Sequence, residues 1–160
     1  NKQVNEMAIK RVQVYDMDGT LVCSLHRYRT IDNVRIDLQY WLDNAHLAMD
    51  DTLLPLVEQY KRDLQDEETF VIIATARVMG AADWQFVRDV LGMPDYFISR
   101  KPGDSRSGGL LKIKSLQKFF NLKPFANAEV TFYEDNVQYL KAVCDHFKIR
   151  GVYVPSAQGH

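Results

Sequence analysis

Two hydrophobic periods divide the 160-residue chain. The run Val12-Gln13-Val14-Tyr15 has strand character and stops at an acid, Asp16. Phe70-Val71-Ile72-Ile73-Ala74 is continuously apolar and rich in β-branched residues, which predicts a strand buried on both faces. Between them, residues 36–49 and 52–65 predict two short helices, the second carrying Leu53, Leu56, Val57 and Tyr60 at helical spacing. Downstream the periods alternate. Trp84, Val87 and Leu91 mark a helix, Tyr96-Phe97-Ile98 a strand, and Ile113, Leu116 and Phe120 another helix. Val130-Thr131-Phe132-Tyr133 follows as a strand, Val137, Leu140, Cys144 and Phe147 as a helix, and Val152-Tyr153-Val154 closes the series. Strands separated by helices predict a parallel α/β sheet with right-handed crossovers. Ligands of such sheets bind beyond the carboxyl ends of the strands.

Three of those ends carry polar groups. The first delivers Asp16-Met17-Asp18-Gly19-Thr20, the second Thr75 and Arg77, and the penultimate strand Glu134-Asp135-Asn136. Carboxylates two apart on an extended chain point to opposite sides, but a turn at Gly19 can aim Asp16 and Asp18 into one crevice. There Asp16 is placed to attack phosphorus and Asp18 to move a proton. Taken singly, the pentapeptide also fits a solvated surface turn, and Glu134-Asp135 also fits a helix N-terminus. Together, paired acids at buried strand ends call for a cation. Mg²⁺ suits an all-oxygen set of Asp16, the Asp18 carbonyl, Asp135 and Glu134.

With these residues in order, the chain resembles the haloacid dehalogenase (HAD) superfamily of phosphatases. The resemblance implies a three-layer, Rossmann-like α/β fold with sheet order 5-4-1-2-3 and a small helical cap after strand one. It assigns Asp16 as nucleophile, Asp18 as acid/base, Thr75 as the phosphate-binding hydroxyl, Glu134 and Asp135 as metal acids, and it requires a lysine. Lys112 and Lys114 project about 200° apart on a helix, so only one can face the site. Lys112 is preferred because it lies in the first turn, where a helix favours phosphate; Lys101 is its competitor. The segment Gly103-Asp104-Ser105-Arg106 before Lys112, with Arg27 and Arg77, is more specifically similar to the phosphatase domain of phage polynucleotide kinase-phosphatases. That likeness implies substrate contacts from Arg27, Arg77, Arg100 and Arg106. The chain departs from that group in lacking a kinase P-loop and in carrying Gly108 where the relatives have an acid.

Composition narrows the partners. With 46% hydrophobic residues, 26% charged residues and a net charge of −1, residues 1–160 are expected to form one domain, with 21–69 as loop and small cap insert. No global field draws the protein to a polyanion. Locally, Arg100, Lys101, Arg106, Lys112, Lys114 and Lys118 face Asp104 alone, and His26, Arg27, Arg29 and Arg35 form a second basic run. Tyr28 and Trp41 are candidates for base stacking. The expected partner is therefore a phosphorylated substrate, a nucleic-acid 3′ end or a nucleotide. A small-metabolite phosphatase and a non-catalytic phosphate binder are the alternatives. Cys23 with Arg29 and Thr30 imitates the spacing of a cysteine-dependent phosphatase, but the intervening loop lacks glycines to turn its amides inward. Cys23 and Cys144 are read as reduced. No stretch approaches the ~20 apolar residues of a membrane span, and the N-terminus is too polar for a signal peptide, so a cytoplasmic location is expected. Met7 is a candidate start.

Overall fold

The computed structural model describes residues 9–27, Thr30 and residues 36–156. Five parallel strands form the main sheet: β1 (Arg11–Tyr15), β4 (Thr69–Val78), β5 (Tyr96–Arg100), β6 (Glu129–Glu134) and β7 (Arg150–Tyr153). Their order is β5-β4-β1-β6-β7. Numbered within this sheet alone it is 3-2-1-4-5, the expected order seen from the other edge. Strand one is central, so the ends of β1, β4 and β6 are adjacent.

Alternation within the strands builds a core on each face. Tyr15, Val71 and Ile73 point towards α2 (Val57–Gln65), α3 (Ala81–Phe86) and the turn after α3, where Tyr60, Phe86 and Leu91 meet them. Val12, Val14, Phe70, Ile72 and Phe132 point the other way, against Leu116 of α4 (Gly108–Phe120) and Val143 of α5 (Val137–Phe147). The continuous apolar run of β4 is thus consumed by two opposite cores. Truncating a fully buried member such as Ile72 to Ala costs about 2–5 kcal/mol.

The insert between β1 and β4 departs from the two expected helices. The second begins only at Val57, because Thr52–Leu53 (β3) pairs antiparallel with Val22–Cys23 (β2) and the Leu54 amide donates to the Leu21 carbonyl at 2.8 Å. The first is a short helix, α1 (Leu38–Asp43), capped by Asp37, whose side chain accepts from the Tyr40 amide. It breaks at Asn44, whose side chain donates to the Tyr40 carbonyl, and a 3₁₀ turn from Ala45 to Asp50 follows. A local side-chain bond to the backbone competes here with helix continuation. Similarly, the helix expected from Trp84 to Leu91 widens into a π turn at Val87–Leu91 and ends at Gly92, where φ is 97°. The candidate start Met7, the stacking candidate Tyr28, and Arg29 and Arg35 of the second basic run lie outside the described residues. Among the described residues, no helix is long and apolar enough to cross a membrane.

Candidate active site

Strand β1 brings Asp16 to the sheet edge, with its amide donating to the Tyr133 carbonyl of β6 at 2.9 Å. The chain then turns through Met17, whose carbonyl accepts from the Thr20, Leu21 and Val22 amides. Gly19 is required twice in this turn. Its φ is 79°, and a Cβ there would fall on the Asp135 carboxylate. The turn aims Thr20 back at the centre, its hydroxyl donating to Asp16 Oδ2 at 3.0 Å.

Lys112 closes the centre from the opposite side. It extends from the first turns of α4, where the Ser107 hydroxyl caps the helix by accepting from the Leu110 amide. Fully buried, its ammonium donates to Asp16 Oδ1 at 2.9 Å and Glu134 Oε1 at 2.6 Å. Lys101 and Lys114 are exposed instead. Gly108 also finds its reason here, because a Cβ would stand 2.5 Å from the Tyr139 ring that packs α5 onto α4. An acid at this position is incompatible with Tyr139 where it stands.

The acids differ in what they hold. Glu134 is expected as a metal ligand, yet its second oxygen accepts from the Asp135 and Asn136 amides at 3.1 and 3.2 Å. It anchors Lys112 and the start of α5. Asp135 is the opposite case: both of its oxygens are buried without a hydrogen-bond partner. One oxygen each from Asp16, Glu134 and Asp135 lie within 4.8 Å of one another. Orphaned buried carboxylate oxygens in a cluster of three acids fit a hard divalent cation. Burial would raise the Asp16 carboxyl, but the Lys112 charge and neighbouring hydrogen bonds hold it below the usual range. Burial and then the Asp16 charge push Glu134 up to about 8 and Asp135 up to about 10. Burial works against the charge of Lys112, and Asp16 and Glu134 more than reverse it. The ammonium is therefore permanent.

Strand β4 runs further than expected, so Thr75 and Arg77 lie inside it, at an irregularity of the β4–β5 pairing. The Thr75 hydroxyl accepts from the Arg77 amide at 3.1 Å and keeps its own proton to donate. Asp18 accepts from Ser24 at 2.8 Å and from Arg77 through Nε at 3.1 Å and through Nη2.

The arginines expected to bind substrate are engaged by the protein itself. Arg27 is fully buried, paired with both oxygens of Asp51 at 2.9 and 2.8 Å and with Asp83 at 3.2 Å. Arg77 reaches Asp83 at 2.7 Å as well as Asp18. Trp41, a stacking candidate, is buried with the Arg27 guanidinium 4.1 Å and the Arg77 guanidinium 5.1 Å from its ring centre. Arg100 donates to the Ala76, Asp104 and Arg106 carbonyls, which fixes the loop after β5. Arg106 is exposed but held by Asp104, whose carboxyl it keeps down at about 2. Sequence reasoning missed Asp51 and Asp83. The usable signal was charge balance: two arginines placed near a buried centre need counter-charges beyond Asp18.

The sequence model of the bacteriophage T5 5′-deoxynucleotidase family matches residues 2–93, more than half of the chain. The chain belongs to this family. The 5′-deoxynucleotidase family match contains Asp16, Asp18, Arg27, Asp51, Thr75, Arg77 and Asp83, while Lys112, Glu134 and Asp135 lie beyond it. The 5′-deoxynucleotidase of Escherichia phage T5 is 38% identical over 85 residues, 50% of this chain and 35% of that protein. The chain therefore spans about a third of the length of that curated relative. Among solved structures, a chain of the Pnkp1/Rnl/Hen1 complex matches with a TM-score of 0.66 at 18% identity, over 98% of this chain and 50% of that one. The haloacid dehalogenase-like hydrolase SP0104 of Streptococcus pneumoniae matches at 0.60 and 11%, over 94% of this chain and 89% of that one. CbbY of Rhodobacter sphaeroides, solved with phosphate, matches at 0.62 and 13%, over 92% and 87%. These structures share the HAD fold with the 5′-deoxynucleotidase family chain.

Proposed function

We propose that the chain is a Mg²⁺-dependent phosphomonoesterase acting on nucleotides through an aspartyl-phosphate on Asp16. The observation that carries this is the buried centre in which Lys112 joins Asp16 to Glu134 beside the unpartnered oxygens of Asp135. Asp16 and Asp135, with the Asp18 carbonyl, would hold the metal, which when bound offsets the repulsion between the attacking carboxylate and the phosphate. Asp16 forms a bond to phosphorus as the ester P–O bond breaks. Asp18, more exposed than Asp16, gives its proton to the leaving alkoxide. It then takes a proton from the water that attacks phosphorus and releases Asp16. Lys112 and the Thr75 hydroxyl steady the phosphoryl oxygens, where charge spreads in the transition state. The choice of nucleotide follows the activity named for the phage T5 relative.

A polynucleotide 3′ end is the second reading, favoured by a cleft of about 210 Å³ lined by Ser99, Lys101, Lys114, Ser115 and Lys118 beside the Arg106–Asp104 pair. Phosphate release should be compared for deoxynucleoside 5′-monophosphates, 3′-phosphorylated oligonucleotides and sugar phosphates, with Mg²⁺ and with chelator. Mononucleotides should be preferred, and chelator should stop turnover. An oligonucleotide preference that falls steeply with salt, and is flattened by Lys114→Gln with Lys118→Gln, selects the second reading. Equal rates on sugar phosphates select a metabolite phosphatase.

A further inference from the structure

We propose that Asp51, from the insert, and Asp83, from α3, are positioning residues that set the plane of Arg77 and through it the carboxylate of Asp18. The inference rests on the reading of Asp18 as the proton-transferring group. A guanidinium offers five donors in one rigid plane, so fixing its far edge aims its near edge. Arg77 turns Nε and Nη2 towards Asp18, while Nη1 donates to Asp83 at 2.7 Å and Nη2 also reaches Asp51 at 3.3 Å. Both acids are themselves fixed. Arg27 binds the two Asp51 oxygens side by side and reaches Asp83, and the second Asp83 oxygen accepts from the Gly80 amide at 2.7 Å, at the start of α3. Trp41 lies against both guanidiniums. Neither arginine side chain has any exposed surface, so neither is open to a ligand here. The insert therefore takes a direct part in this arrangement. Its residues Arg27, Trp41 and Asp51 complete the frame that holds a reacting group in the turn after β1 through a residue on β4.

A frame that only stabilises the fold and a frame that aims Asp18 make different kinetic predictions. General-acid help matters for alkoxide leaving groups and little for aryl oxides that leave unprotonated. kcat/KM should be measured on a deoxynucleoside 5′-monophosphate and on p-nitrophenyl phosphate for wild type, Asp18→Asn, Asp51→Asn, Asp51→Glu and Asp83→Asn, with folding checked by circular dichroism. In Asp51→Asn and Asp83→Asn, kcat/KM should fall at least about tenfold on the nucleotide and less than about threefold on the aryl ester, in parallel with Asp18→Asn. Asp51→Glu, which keeps the charge, should recover part of the loss. If Asp51→Asn does not fold, Asp83→Asn decides, since Arg27 keeps its pair with Asp51. Folded variants that lose the same factor on both esters, while Asp18→Asn discriminates, overturn the positioning role alone. An Asp18→Asn variant that does not discriminate overturns the acid/base reading, and the inference with it.

Discussion

Two buried charged clusters share the carboxyl edge of the sheet, and they differ in completeness. Around Arg27 and Arg77, two guanidiniums face three carboxylates, Asp18, Asp51 and Asp83, a formal −1, and each acid receives charged hydrogen bonds. Around Lys112, one ammonium faces Asp16, Glu134 and Asp135, a formal −2, and Asp135 receives none. In the first, every carboxylate is paired within the protein, and Arg27 Nη1 is the one buried donor there without a hydrogen-bond partner among the described residues. The second needs a divalent cation or protons to settle its charge, which is why two of its carboxyls are held above their usual range. Burial alone does not mark an active centre; an unpaid buried charge does.

The sharpest way to break this contrast is the proposed nucleophile. Asp16→Asn should lower kcat by about 10⁴-fold or more with the fold retained, as read by phosphate release and circular dichroism. A variant keeping most of its turnover would remove Asp16 from the chemistry. Next, each cluster should fail differently when its cation is removed. Arg27→Met leaves Asp51 buried beside His26 with one guanidinium fewer, and should destabilise by about 3–5 kcal/mol in urea unfolding, whether or not Mg²⁺ is present. Lys112→Met should cost a similar amount without metal, and millimolar Mg²⁺ should restore part of it.

The proposed metal cluster should also respond to pH. Glu134 and Asp135 are raised in the folded state, so their contribution is fully present below their unfolded values and is lost as pH rises towards about 8 and about 10. Asp16 is shifted the other way, and its contribution disappears only in acid, below the usual carboxylate range. From about pH 5 to 9 the metal-free protein should therefore lose Tm, and the gain on adding Mg²⁺ should grow over the same range. Asp135→Asn should flatten both trends. A metal-induced Tm gain independent of pH would break the assignment. The smallest effect expected is from Cys23→Ser. Cys23 sits in β2 opposite Thr52, and phosphatase rates should stay within about twofold of wild type.

Much of this was legible in the residues alone. The β4 run could only be a strand buried on both faces, and the order of polar groups at three strand ends marked Asp16, Asp18, Thr75, Glu134 and Asp135 before any coordinates. Period and order along the chain encode these, because a strand of a parallel sheet needs only local pattern to show which side chains it buries. Helix geometry let only one of Lys112 and Lys114 face the site, and the first-turn position favoured Lys112. What the sequence could not decide was who partners whom. Asp51 meets Arg77 across 26 residues and Lys112 meets Asp16 across 96, and no local spacing carries such pairings. Arg27, Arg77 and Arg100 read as substrate contacts, and the tertiary structure showed the acids and carbonyls that engage them. Glu134 reads as a metal ligand, and the tertiary structure adds that its oxygens also engage Lys112 and two amides while it stays within the three-acid cluster. The tertiary structure alone decided which charges are neutralised within the protein and which remain for a ligand, because the partner that neutralises a buried charge is set by distance in space.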